Sequence, residues 1–217
     1  YVYDKVENYD KLKDVIRGKS SPDGLSDIQK SLSDIEHNML HFLDNHDEQR
    51  LASPEFAGTP ERGKPLMVVS TTISTSPTMV YFGQEVGEAG NENAGFGTRS
   101  RTSIFDYIGV PNHQRWMNGG KFDGGKLSDS EKNLRDFYKR LLNFSINSPA
   151  LMGSYQEIQS VNRQNPNYDG LLYSYVRWSE KQKLVVIANF SSEKESEFDL
   201  KIPSTVISKW NLKDGSY

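Results

Sequence analysis

Val6, Tyr9, Leu12, Val15 and Ile16 share one helical face before Gly18, which predicts a first helix. The Ser20-Ser21-Pro22-Asp23-Gly24 cluster reads as a loop. A second helix is expected to carry Ile28, Leu32 and Ile35, with Ser26 and Gln29 as a capping box at its start. Met39 to Leu43 is a short, largely apolar run, the pattern of a buried strand. Lys64-Pro65-Leu66-Met67-Val68-Val69 is ambiguous: its β-branched residues suit a strand, and Pro65 suits the first position of a helix. We assign a helix, because Thr78 to Phe82 reads as the next strand and adjacent parallel strands need a crossover. Helix, strand, helix, strand is the order of βα units on a parallel sheet.

Residues 83–127 form a long Gly-rich connection, where ordinary ones take ~4–6 residues; long connections tend to be functional. Ser128 and Glu131 make a capping box ahead of a clear helix, whose stripe is Leu134, Phe137, Tyr138, Leu141 and Leu142, with Pro149 beyond its end. From about residue 150 the period changes to two. Tyr155–Val161, Leu171–Trp178, Leu184–Phe190 and Glu197–Ile202 read as strands, with turns at Asn167–Gly170 and Ser179–Gln182. These predict a small antiparallel β domain.

The Met39–Leu43 run ends abruptly in Asp44-Asn45-His46-Asp47-Glu48-Gln49-Arg50, as a buried strand does when its C-terminal end opens into a site. Phe42, Asn45, His46 and Asp47 match an F-x-x-N-H-D motif, and Tyr81-Phe82-Gly83-Gln84-Glu85 follows at a matching distance. Together they resemble two barrel-strand motifs of the α-amylase family of glycoside hydrolases, and the resemblance extends over nearly the whole chain in the family's order. It implies an α/β chain: the terminal βα units of a (β/α)8 barrel over 1–149, then a small antiparallel β-sandwich domain over 150–217 with its closing strand missing. Trp210-Asn211-Leu212-Lys213-Asp214-Gly215 resembles a late hairpin of that sandwich. A whole barrel takes ~250 residues, so only two or three βα units fit. The chain opens Tyr-Val-Tyr, with no Met and no signal-peptide pattern, which reads as an expressed fragment or a processed product.

What the resemblance implies for chemistry is specific. Asp47 corresponds to the carboxylate that supports an oxocarbenium-like transition state, and His46 to an imidazole that hydrogen-bonds the same sugar. Asn45, Arg50 and Glu85 are expected beside the substrate. Equally, Asn45, His46 and Asp47 would suit a strand end with a capped turn, and Arg50 and Glu85 a supporting shell. Retaining hydrolysis also needs two carboxyl groups ~5–5.5 Å apart, a nucleophile and an acid/base. The family holds them on earlier strands, and no matching segment occurs here. The expected function is therefore that of a C-terminal part of a retaining α-glucan hydrolase acting on starch or maltooligosaccharides. This chain alone should be inactive, with the missing N-terminal barrel portion as its partner. An α-glucan transglycosylase and a non-catalytic carbohydrate-binding relative are the alternatives. Trp116, Phe96 and Tyr107 are candidates to stack on sugar rings or to pin the long loop; Trp178 and Trp210 could form a starch platform or pack a core.

Composition narrows the rest. The 217 residues are 35% hydrophobic, enough for a core. A net charge of −3 gives no case for nucleic acid or an anionic membrane, and no apolar run approaches a ~20-residue span. The absence of cysteine removes disulfides and thiolate metal sites. No metal site is expected from Asp44, His46, Asp47 and Glu48, consecutive residues that lack a second segment. The resemblance implies no cofactor in this segment and allows calcium in a full-length parent. It favours an extracellular, periplasmic or cell-surface location over the cytoplasm.

Overall fold

The computed structural model describes residues 2–91, 100–105 and 110–213. Its elements are β1 (Val2–Tyr3), α1 (Lys11–Ile16), α2 (Gly24–Ser31), β2 (Met39–Phe42), α3 (Pro60–Thr72), β3 (Thr78–Met79), α4 (Pro111–Met117), α5 (Asp129–Asn147), β4 (Ser154–Glu157), α6 (Gln159–Asn162), β5 (Leu172–Trp178), β6 (Lys183–Asn189) and α7 (Ser204–Trp210). The first three strands form a parallel sheet in the order β1-β2-β3, and the last three an antiparallel sheet in the order β4-β5-β6.

The parallel sheet is short. Val2 pairs with Met39 and Tyr3 with Leu40 on one side of β2, and His41 with Thr78 and Phe42 with Met79 on the other. β1 is too brief to show as a sequence pattern. Asp4 follows it and caps a π-helical turn, Lys5–Asp10, by accepting from the Glu7 and Asn8 amides at 3.1 and 3.0 Å. That turn runs into α1; the turn buries Tyr9 and leaves Val6 exposed, and α1 buries Leu12, Val15 and Ile16.

α2 begins two residues before the expected cap. Ser26 and Gln29 lie inside it and are buried, and the Ser26 hydroxyl meets the Tyr173 hydroxyl at 3.3 Å instead of capping. α3 begins at Pro60, with Thr59 as its cap, so Pro65 is an interior residue. It packs against β2, α5 and β6, and Leu66, Met67 and Val69 are fully buried. A helix covered on several sides loses its one-faced period, which is why this stretch read ambiguously. Gly63 has a packing role: a Cβ there would lie 2.8 Å from Leu51, so α3 approaches the segment after β2 closely.

β3 covers only Thr78–Met79, and the chain turns through Gly83 at φ +83°, a left-handed conformation that glycine adopts without strain. The long connection contains α4, which sequence period did not reveal. α5 has the expected capping box: the Glu131 amide donates to the Ser128 hydroxyl at 3.3 Å, and the Ser128 amide to Glu131 at 2.7 Å. Leu134, Tyr138 and Leu141 are its buried stripe.

Beyond residue 150 the described residues carry one antiparallel sheet, not two facing sheets. β4 ends at Glu157, and α6 follows where the strand was expected to continue. β5 is buried on both faces. Tyr173 and Tyr175 join the main core with Leu66, Met67 and Val69, while Val176 joins a second cluster with Ile158, Val206 and Trp210. The layer over that second face is α7. The predicted strand Glu197–Ile202 is not a strand and joins no ladder, although its residues alternate between exposed and half-buried. Asn162 brackets Lys201, donating to its carbonyl at 3.0 Å and accepting from its amide at 2.8 Å, and Asn165 donates to the Asp199 carbonyl at 3.1 Å. Side-chain amides thus replace a neighbouring strand, while Phe198 still meets Tyr168 and Leu200 and Ile202 still pack inward. The expected hairpin at Trp210 is the end of α7, with Asn211 left-handed at φ 52°; Asp214 and Gly215 lie outside the described residues.

The segments on either side of residue 150 share the main core. Buried Arg177 fastens them: its guanidinium donates to the Thr72 carbonyl at the end of α3 and to those of Leu151 and Gly153. Burial lowers its pKa, and carbonyl oxygens supply the acceptors.

Candidate functional site

Polar side chains gather where β2 ends. Burial increases along the strand to Phe42 and Leu43, both fully enclosed; Phe42 stacks on Tyr9 at 5.3 Å. Asp44 follows at 1% exposure. Its carboxylate accepts from the Leu51 amide, in a very close contact, and from Arg50 Nη1 at 3.1 Å. Burial pushes this carboxyl up to about 6, although Arg50 and the Leu51 amide pull the other way.

Arg50 is fully buried and joins three segments. Nε donates to Thr102 Oγ1 at 2.8 Å, Nη1 to the Phe82 carbonyl at 2.8 Å, and the Arg50 amide to the Ser100 carbonyl at 2.6 Å. The guanidinium lies 4.4 Å from the Tyr81 ring centroid and 5.1 Å from that of Phe82. The expectation that Arg50 contacts substrate is corrected here. The side chain is enclosed and bound to Asp44, so it braces the ends of β2 and β3 and the 100–102 segment.

Asn45 is also buried, and it shapes the turn. Its Oδ1 accepts from the Asp47 and Glu48 amides, both at 2.8 Å, which is an Asx turn. Its carbonyl oxygen is thus spent on the backbone. That turn turns the next two side chains outward: Asp47 is 67% exposed and His46 39%, with His46 Nε2 3.3 Å from Asp47 Oδ2. Arg101 reaches the same rim, 3.7 Å from Asp47 Oδ1 and 3.4 Å from the His46 carbonyl. Glu48 turns to Lys5 at 3.5 Å. Asp47 is therefore the accessible carboxylate of this turn, flanked by an imidazole and a guanidinium. Such a set can accept from and donate to hydroxyl groups and can face a developing positive charge.

Glu85 sits in a helical turn, Gln84–Val86, just past Gly83; it is half-buried and makes no hydrogen bond or ion pair among the described residues. Gln84 points inward, donating to Tyr138 Oη at 3.1 Å and accepting from the Tyr81 amide. Sequence reading did not assign roles to Asp44, Arg101, Thr102 or Glu88. Glu88 is buried and accepts from the Gly90 and Asn112 amides at 2.8 and 3.1 Å, which ties α4 to the site's edge. Asp44 stood inside the quoted run, so its position was a signal; its partners came only with the fold.

Of the aromatic candidates, Trp116 lies on α4 in a row with Phe82, His113 and Phe122, with successive centroids 5.3, 5.5 and 5.8 Å apart. Phe96 and Tyr107 lie outside the described residues. His41 is a framework residue, its Nδ1 donating to the Ser70 carbonyl at 2.7 Å and its Nε2 3.4 Å from Asp4. Among the described residues, no group of three or more His, Asp and Glu side chains converges as a metal site, and no helix is long and apolar enough to cross a membrane.

Comparison of the chain with the profiles of known protein families finds no match, and comparison with curated proteins also finds none.

Proposed function

We propose that this chain is the C-terminal part of an α-amylase-like retaining glycoside hydrolase acting on α-glucans, with Asp47 stabilising charge on the sugar and His46 bonding a sugar hydroxyl. The observation that carries this reading is the pairing of sequence with exposure. In the F-x-x-N-H-D motif, Phe42 and Asn45 are buried framework, and His46 and Asp47 are the side chains that reach solvent, at the C-terminal end of the middle parallel strand. Ligands of parallel α/β sheets bind at that end. A second support is the sheet itself: three parallel strands whose outer edges have no partner among the described residues, with Val2 and Tyr3 exposed. All-parallel sheets are otherwise closed or covered, so these edges suit strands of a larger barrel.

On this reading the chain supplies one wall of the pocket, and the nucleophile and acid/base come from elsewhere in the parent. The 217-residue chain is expected to show no turnover on maltooligosaccharides in a reducing-sugar assay. Asp47→Asn in the full-length parent lowers kcat by about 10³-fold or more, taking the ~2.7–4 kcal/mol cost of one preorganised electrostatic group as a guide. An unchanged kcat with only a raised KM would assign Asp47 to uniform binding and sink the transition-state role.

A further inference from the structure

A second cleft, about 530 Å³, lies on the antiparallel sheet and uses none of the Asp47 rim. Ser154 of β4, Trp178 at the end of β5, Glu180 in the following turn, Lys183 of β6 and Lys209 of α7 line it. We propose that this cleft binds an α-glucan chain, with Trp178 as the stacking platform. The identity of the ligand, though not the existence of the site, rests on the function proposed above.

Trp178 is half-buried, and buried Trp210 abuts it at 6.3 Å and 67°. Trp210 belongs to the cluster of Ile158, Val176 and Val206, so the indole stands on a packed base. A platform already ordered loses little freedom when a ligand docks. Around it, polar groups are unspent. Among the described residues, Glu180 and Lys183 form no ion pair and the Ser154 hydroxyl makes no hydrogen bond. They offer a carboxylate acceptor, an ammonium donor and a hydroxyl beside one aromatic ring. A pyranose matches that set, with C–H groups on its face and hydroxyls around its edge. Glu180 offsets one of the two lysine charges, so the lining carries only a small net charge. Lys209 Nζ sits 5.2 Å from the Trp178 centroid and occupies the ring in the free protein; its long stem lets it swing to a ligand hydroxyl. The cleft is open and within the ~300–1,000 Å³ of small-molecule sites, so binding is weak.

The test is an NMR titration of the ¹⁵N-labelled 217-residue chain with maltoheptaose. Expected are saturating shifts at the Trp178 indole N–H and at the Ser154, Glu180 and Lys183 amides, with Kd in the millimolar range. Trp178→Ala should weaken binding by roughly tenfold or more. Since Trp178 also packs on the cluster beneath, the double variant Glu180→Ala/Lys183→Ala, which leaves that packing intact, should weaken it several-fold. Asp47→Ala should leave these shifts unchanged. No shift at these groups, or full affinity in both a folded Trp178→Ala protein and the double variant, overturns the proposal. Shifts confined to His46 and Asp47 overturn it while leaving the proposed function standing. Shifts at Trp178 together with a fully active Asp47→Asn parent uphold the cleft and remove the catalytic reading.

Discussion

Asp44 and Asp47 occupy one turn of chain in opposite environments. Asp44 is 1% exposed, held by Arg50 and the Leu51 amide, and its carboxyl is pushed up by burial. Asp47 is 67% exposed, and among the described residues its carboxylate meets the side chains of His46 and Arg101. The residue between the two environments is Asn45, whose Asx turn ends the buried strand and sends the next side chains to solvent. A single stretch thus separates framework from chemistry: the buried carboxylate fixes where the loop goes, and the exposed one is free to meet a ligand. Substitutions at the two should be felt in different measurements.

The largest effect is expected at Arg50. Arg50→Met removes the bonds to Thr102, Asp44 and the Phe82 carbonyl and leaves Asp44 buried without its cation. Breaking a buried pair from one side costs about 3–5 kcal/mol, so the urea midpoint should fall accordingly. Arg50→Lys should recover little, because a single ammonium cannot reproduce the fork. A loss below about 1 kcal/mol would mean that the turn does not depend on Arg50.

Asp44 gives a smaller effect with a defined pH signature. Its folded pKa, about 6, lies above the ordinary carboxylate value of 3.8. Below about pH 4 both states hold the proton. Between about pH 4 and 6 the folded state holds it and the unfolded state has lost it, so the group's contribution to stability falls as pH rises. Above about 6 the loss is complete. The stability of the unmodified chain relative to Asp44→Asn should therefore decline by up to roughly 3 kcal/mol from pH 4 to pH 7. A difference that rises with pH would show that Arg50 outweighs burial.

The same contrast explains what could be read from sequence. Several signals completed within a few residues were legible, although the Ser26/Gln29 pair, equally local, was not a cap. The Ser128/Glu131 box, the α5 stripe and the β5–β6 hairpin fall close to where their patterns put them. The alternation of Phe198, Leu200 and Ile202 marked which side chains turn inward, but no strand forms there: it could not say what would take the backbone hydrogen bonds, and Asn162 and Asn165 lie more than thirty positions earlier. α7 was missed because its apolar face is only Val206 and Trp210, one turn apart. At the site, His46 and Asp47 were legible as a motif. That Arg50 turns inward was not, since Thr102 and Phe82, which receive it, are remote in sequence and supply no local pattern.

The smallest stability effect is expected at Asp47, and there the comparison is tested most directly. The contacts of Asp47 with His46 and Arg101 are exposed, and solvent screens them; surface pairs of this kind are worth about 0–1 kcal/mol. Asp47→Asn keeps the shape of the side chain, and the turn is held by the Asn45 side chain and the Asp47 backbone amide, both unchanged. The urea midpoint should therefore move by no more than about 0.5 kcal/mol in free energy. In the full-length parent the same substitution should carry the large loss of turnover given above. A stability loss near 2 kcal/mol would make Asp47 a framework residue like Asp44 and would dissolve the division between them. An unmoved midpoint alongside a collapsed kcat would place all of its contribution in the transition state.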